Sequence, residues 1–226
     1  MLNQVNRSRA FLPGILAMPA VALHLTASGS AFAAPAAKTQ ARLAGVIGED
    51  GENAYDAALA GRWSAVNHVA ARIERDSAAL PARWSALRNR FRLTQSVRGL
   101  QLAAASRDKW AAADAANRVT LFAARLEEPT KPAIPTQITL LDVYGRDLQV
   151  AGGRGDAVAA RKGLGELYST WIQVRLRVVG AGGTLAANRF EAALRRARTA
   201  NSARGMGAAS GPILDEVDAL EKVFTH

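Results

Sequence analysis

Apolar residues recur every three to four positions along most of the chain, and no stretch alternates with the two-residue period of a strand for long enough to need a sheet. The pattern predicts helices near 53–60, 63–79, 82–105, 108–126, 136–151, 156–179, 184–203 and 212–224. The punctuation agrees with it. Pro81, Pro135 and Pro212 stand where a first helical turn accepts proline, Asp108, Asp156 and Thr184 can cap, and Gly152-Gly153 and Gly180 to Gly183 end the helices before them. The expected fold is therefore all-α, with antiparallel αα-hairpins forming a helical bundle, or alternatively a short, irregular α-hairpin solenoid. EEPTKPAIP, 127–135, is a proline-rich linker that divides the chain into similar halves, yet it is too short to imply independent domains. Residues 53–226 are expected to form a single helical domain.

The residues before this domain behave differently. Arg7 and Arg9 give a positive start without an acid, FLPGILAMPAVALHL supplies a short apolar core, and Ala31-Phe32-Ala33 ends in the small residues that a signal peptidase reads. Residues 1–33 are expected to be a signal peptide cut after Ala33, and 34–52 a mobile lead-in. The apolar run contains Pro13, Gly14 and Pro19 and is shorter than the roughly 20 residues of a membrane span, so no transmembrane anchor is expected after cleavage. Arg9 to Leu12 resembles part of a twin-arginine export signal, but Ser8 breaks the arginine pair. Plain secretory export to the periplasm or exterior is the expectation.

Composition narrows the function classes. With no cysteine, the chain has no disulfide, no lipid-bearing cysteine and no Cys-x-x-Cys-His haem attachment. The net charge of +10 becomes +8 once Arg7 and Arg9 are removed. A basic protein outside the cytoplasm meets anionic lipid, wall polymer and acidic protein surfaces, and its basic residues lack the interleaved aromatics that would stack nucleic-acid bases. No metal or cofactor is expected. Of the three histidines, His24 belongs to the leader, His226 is the last residue, and His68 falls on a polar face beside Arg72 and Arg75. Met206, in a glycine-rich stretch predicted to be a turn, is a poor axial partner for haem. No serine, histidine and aspartate fall into a catalytic order, and the glycine pairs lack the context of a phosphate loop. RGD at 154–156 resembles an integrin-binding tripeptide, although Asp156 at a helix start is better read as a cap. GRWSA at 61, DKWAA at 108 and GDAVA at 155 recur at 47-residue intervals, each expected at a hairpin turn.

The remaining signal is a set of polar residues inside apolar stripes. Arg98 interrupts Trp84, Leu87, Phe91, Thr94 and Leu102. Arg175 interrupts Leu164, Leu167, Tyr168, Trp171, Val174 and Val178. Asn117 and Thr120 sit among Trp110, Ala113, Leu121 and Ala124. In ITLLDVYGRDL, 138–148, Ile138, Leu141, Tyr144 and Leu148 surround Gly145, where a neighbouring helix can come close, and Asp142 lies at the edge of that face. Asp142 either pairs locally with Arg146 at the i, i+4 spacing, the commoner solution, while Arg98 and Arg175 reach out to water, or it crosses the bundle to Arg98 or Arg175. In the second case two arginines share one aspartate, and the surplus charge makes a pocket for a small anion walled by Trp84 and Trp171. Arg98, Asn117, Asp142, Trp171 and Arg175 are thus the candidate ligand-binding residues. The expected function is a non-enzymatic interaction module for a partner protein or an anionic envelope surface, with no nucleic-acid partner. The alternative is a bundle that binds a small anionic ligand or a haem or metal cofactor in its core.

Overall fold

The computed structural model describes residues 33–130 and 132–225, with side chains described from Arg42 onward. The expected leader lies outside the described residues except for Ala33, where the first helix begins, and His226 also lies outside them. The order is α1 Ala33–Leu59, α2 Trp63–Ala78, α3 Ser85–Arg90, α4 Leu93–Ser106, α5 Lys109–Glu127, α6 Thr136–Arg154, α7 Ala157–Gly180, α8 Thr184–Thr199, α9 Ala203–Ala208 and α10 Ser210–Lys222. Short 3₁₀ turns occupy Ala82–Trp84 and Glu128–Thr130. Among the described residues there is no strand, and the fold is all-α with packed helices.

Three elements differ from the periodic reading. Residues 34–52 are not a free lead-in but the first two-thirds of α1, in which Ala44, Ile47 and Asp50 are buried. The predicted helix 82–105 breaks at Arg92, which adopts a left-handed conformation with φ 52°. Beyond that break the buried stripe is Leu93, Val97, Leu100 and Ala104, so Thr94, Arg98 and Leu102 face water. The predicted helix 184–203 stops at Thr199, and the following glycine-rich stretch forms α9, capped by Ser202 through Gly205 N at 3.1 Å, with Met206 buried.

Burial divides into two apolar clusters. The first gathers α1, α2, α4 and α5 around Ile47, Tyr55, Ile73, Leu100 and Phe122. The second gathers α6, α7, α8, α9 and α10 around Leu141, Leu148, Trp171, Phe190 and Ile213. Close approach is made by small residues. A Cβ on Gly48 would lie 3.3 Å from Ala123, and Gly51 faces the Thr120 side chain and the Ala116 carbonyl, so α1 lies flush along α5. Gly152 meets Gly207 backbone to backbone where α6 crosses α9, and Leu214 of α10 fills the space left by Gly145. The two clusters are joined by α5 against α6, with Val150 of α6 belonging to the first. The three motifs spaced at 47 residues all fall at helix–helix turns. Asp108 caps α5 through Ala111 N at 3.0 Å, and Asp156 caps α7 through Val158 N and Ala159 N, the structural role read for the RGD aspartate.

Candidate functional site

Polar groups concentrate in three places, each set by the helices that border it. The first is a seam where α1 and α10 meet α6. Asp142 and Arg146 lie one turn apart, with Oδ2 and Nε 3.0 Å from each other. Both side chains are only 13% exposed, so the pair expected at the surface is largely, though not fully, withdrawn from water. Arg146 also reaches Glu52 at 3.7 Å and stacks over the Tyr55 ring at 5.1 Å, while Tyr55 donates its hydroxyl proton to Gln149 Oε1 at 2.6 Å. Burial pushes the Asp142 carboxyl up to about 7. Arg146 opposes this, but Glu52, Glu221 and Asp218 add to it. Glu52 and Glu221 are raised as well, burial again being the largest cause. One guanidinium therefore serves an excess of carboxylates.

The second place is a groove of about 350 Å³ between α7 and α8. Trp171 donates its indole N–H to Glu191 Oε1 at 3.2 Å, and Arg175 donates Nε–H to the same oxygen at 2.6 Å. These bonds, that from Arg175 first, hold the Glu191 carboxyl below its ordinary value. Trp171 packs on Phe190 with ring centroids 4.7 Å apart, and Arg198 covers the Tyr168 ring at 4.8 Å. On the outer side, Tyr168, Ile172 and Leu176 form an exposed row at successive i, i+4 positions, Leu176 keeping 78% of its surface. Arg195 completes the groove's basic edge.

The third is a cleft of about 440 Å³ where α5, α6 and α7 converge. Asn117, fully buried on α5, donates both Nδ2 protons, one to the Val143 carbonyl at 2.8 Å and one to Asp147 Oδ1 at 2.7 Å. Its own Oδ1 meets no donor among the described residues.

The five predicted ligand residues do not form one site. Arg98 is exposed on α4, because the break at Arg92 rotates its helix. Trp84 belongs to the first core and Trp171 to the second, so they do not wall a common pocket. Asp142 keeps to Arg146 rather than crossing to Arg98 or Arg175, and the counter-charge of Arg175 is Glu191. Only Trp171 and Arg175 come together, as a stripe of α7 spaced by one turn should. Asn117 is buried as its stripe implied, beside Asp147, which the periodic reading did not single out. Glu191 was missed because it lies on an exposed-looking face of α8. Arg146 had one legible signal, its spacing from Asp142. Among the described residues no cluster of histidine or acidic side chains could hold a metal ion, and no helix is long and apolar enough to cross a membrane. No family model matches the chain, and neither a curated protein nor a solved structure matches it significantly.

Proposed function

We propose that this chain is an exported, non-enzymatic binding module that grips an acidic, amphipathic segment of a partner protein in the groove between α7 and α8. The observation that carries the reading is the exposed row Tyr168, Ile172 and Leu176 beside a groove edged by Arg175, Arg195 and Arg198 against the single acid Glu191. Large apolar side chains left in water in a row, next to like charges, are a recurrent mark of an interaction surface. Covering them stabilises a complex by about 25 cal/mol per Å² of apolar surface removed from water, before the ordering costs of association. A concave groove suits inserted side chains better than a flat lipid or polymer surface, which is the second reading of a basic exported protein. Export itself rests on the leader pattern of residues 1–33. The small-anion alternative loses its motive, since Arg98 faces water and Glu191 already answers Arg175.

The test is a photo-crosslinker placed at Leu176 of the full chain in envelope preparations. The expected result is a discrete protein adduct that Ile172→Asp removes and Leu102→Asp, an exposed apolar position in the other half, leaves intact. Labelling of lipid alone, or an adduct indifferent to Ile172→Asp, overturns the reading.

A further inference from the structure

Like charges crowded on one surface repel each other, and folded proteins usually relieve this by setting acids among the bases. Between Asp76 and Asp108 that relief is missing. Residues 77–107 hold Arg83, Arg88, Arg90, Arg92, Arg98 and Arg107 with no lysine and no acid, so they carry +6 of the chain's formal +10. Among the described residues none of these six arginines makes an ion pair, whereas Arg72, Arg118, Arg146, Arg175 and Arg189 each face a carboxylate.

Two of the six are held by aromatic rings instead. Arg83 lies over Trp84 at 4.7 Å and Arg90 over Phe91 at 5.5 Å. A guanidinium stacked by its face keeps its N–H edge free, and that edge is the part that meets phosphate oxygens two at a time. The rings are themselves anchored, since Trp84 is buried in the first apolar cluster and Phe91 packs against it.

Arg83, Arg90, Arg92 and Arg98 are exposed, and the first three lie on the elbow that joins α2 to α4. The fourth stands on the water-facing row of α4, Thr94, Arg98 and Leu102 at successive i, i+4 positions, in which Leu102 keeps 63% of its surface. Acids resume at the border of this face, where Glu74 of α2 accepts a hydrogen bond from Gln101 at 2.9 Å. None of these arginines lines either cavity described above. They present charge to a partner laid against them rather than to one inserted. A soluble polyanion would answer the arginines and leave Leu102 in water. An anionic bilayer answers both, with phosphates at its face and hydrocarbon just beneath.

We propose that the elbow 83–92 and the outer row of α4 dock on a bilayer rich in anionic phospholipid, with the arginines on headgroup phosphates and Leu102 at the acyl boundary. Each arginine brought to such a surface contributes about fivefold in affinity, and salt screens it. This face is separate from the groove between α7 and α8, so the docking stands whether or not that groove takes a protein.

The chain has no cysteine, so a single introduced one carries a label cleanly. The intact chain is given an environment-sensitive fluorophore at Leu102→Cys or, as the control, at the exposed Leu185→Cys of α8, and is titrated with phosphatidylcholine vesicles with and without phosphatidylglycerol. The expected result is a saturable blue shift at position 102 only when phosphatidylglycerol is present, and none at position 185. Co-sedimentation with the same vesicles then compares a chain carrying Arg90→Gln, Arg92→Gln and Arg98→Gln with one carrying Arg161→Gln, Arg196→Gln and Arg204→Gln, all exposed and equal in charge removed. The first set should weaken binding by about tenfold or more and the second by less than about threefold. Equal losses in the two sets overturn the proposal, because net charge alone then explains the binding. An emission at position 102 that vesicles do not move, or that moves equally without phosphatidylglycerol, overturns it whatever the variants do. Tighter binding to soluble polyphosphate than to vesicles at equal phosphate assigns the arginines to a polymer and overturns the bilayer.

Discussion

Arg146 holds Asp142 at 3.0 Å from one helical turn away, and both side chains are almost wholly withdrawn from water. The same spacing on a helix surface contributes a few tenths of a kcal/mol. Here Glu52 and Tyr55 of α1 lie against Arg146, Asp218 and Glu221 of α10 add negative potential, and the guanidinium is within reach of two acids, Asp142 and Glu52. The weight of the cluster therefore rests on Arg146 rather than on Asp142.

Arg146→Met is expected to cost about 1–3 kcal/mol, because it removes the cation from the largely enclosed Asp142 and leaves the half-exposed Glu52 beside it. Asp142→Asn is expected to cost much less. Glu52 still reaches Arg146 in that variant, and one of the crowded carboxylates is gone. Chemical denaturation of the two variants beside the unaltered protein measures the order directly, and an Asp142→Asn loss equal to or above that of Arg146→Met would refute it.

The same crowding sets a pH dependence with a definite sign. Asp142, near 7, and Asp147, near 6, both lie above their ordinary value of 3.8, so the folded chain holds these protons more tightly than the unfolded one. Their contribution to stability is present in full below about pH 4 and is lost as the pH rises through 6 and 7. The chain's general positive charge acts in the other direction, opposing the folded state as acids are neutralised. The comparison that isolates the effect is the stability difference between pH 5 and pH 8 in the unaltered protein and in Asp142→Asn. The fall toward pH 8 should be smaller in the variant, and an unchanged fall would refute the assignment.

Glycine should be essential at one crossing and dispensable at another position. Gly152 and Gly207 meet where α6 crosses α9, and a methyl on either would strike backbone, so Gly207→Ala is expected to cost about 1–3 kcal/mol. Gly165, in the exposed interior of α7, has open space around its Cβ position, and Gly165→Ala should gain about 0.5–1 kcal/mol from helix propensity alone. Thermal melts of the two variants should therefore move in opposite directions.

The helix pattern, the caps at Asp108 and Asp156, the burial of Asn117 and Thr120 and the close approach at Gly145 were all legible in the sequence, because each depends on residues within a turn or two. The break at Arg92 was not. Arginine carries no signal for a left-handed backbone, and without that break Arg98 falls on the buried face. The residues from 34 to 52 were obscured in the opposite way. Gly48 and Gly51 resemble helix breakers, yet they are the points at which α1 touches α5, and burial against Ala123 and Thr120 favours the helix more than propensity opposes it. The pairing of Arg175 with Glu191 depends on the angle at which α7 meets α8, which no periodicity encodes.

Apart from Val150 of α6, which belongs to the first, each of the two apolar clusters is assembled from one half of the chain, α1 to α5 and then α6 to α10. Most of these contacts lie within one half of the chain, although α1 on α5 closes over the three helices between them. A chain delivered amino terminus first can bury Ile47, Ile73 and Phe122 once Glu127 has emerged, without waiting for the rest. The seam of Arg146, Glu52 and Tyr55 needs both halves, since Glu52 and Tyr55 come from α1 and Arg146 from α6, so it cannot close until α6 has joined the first half.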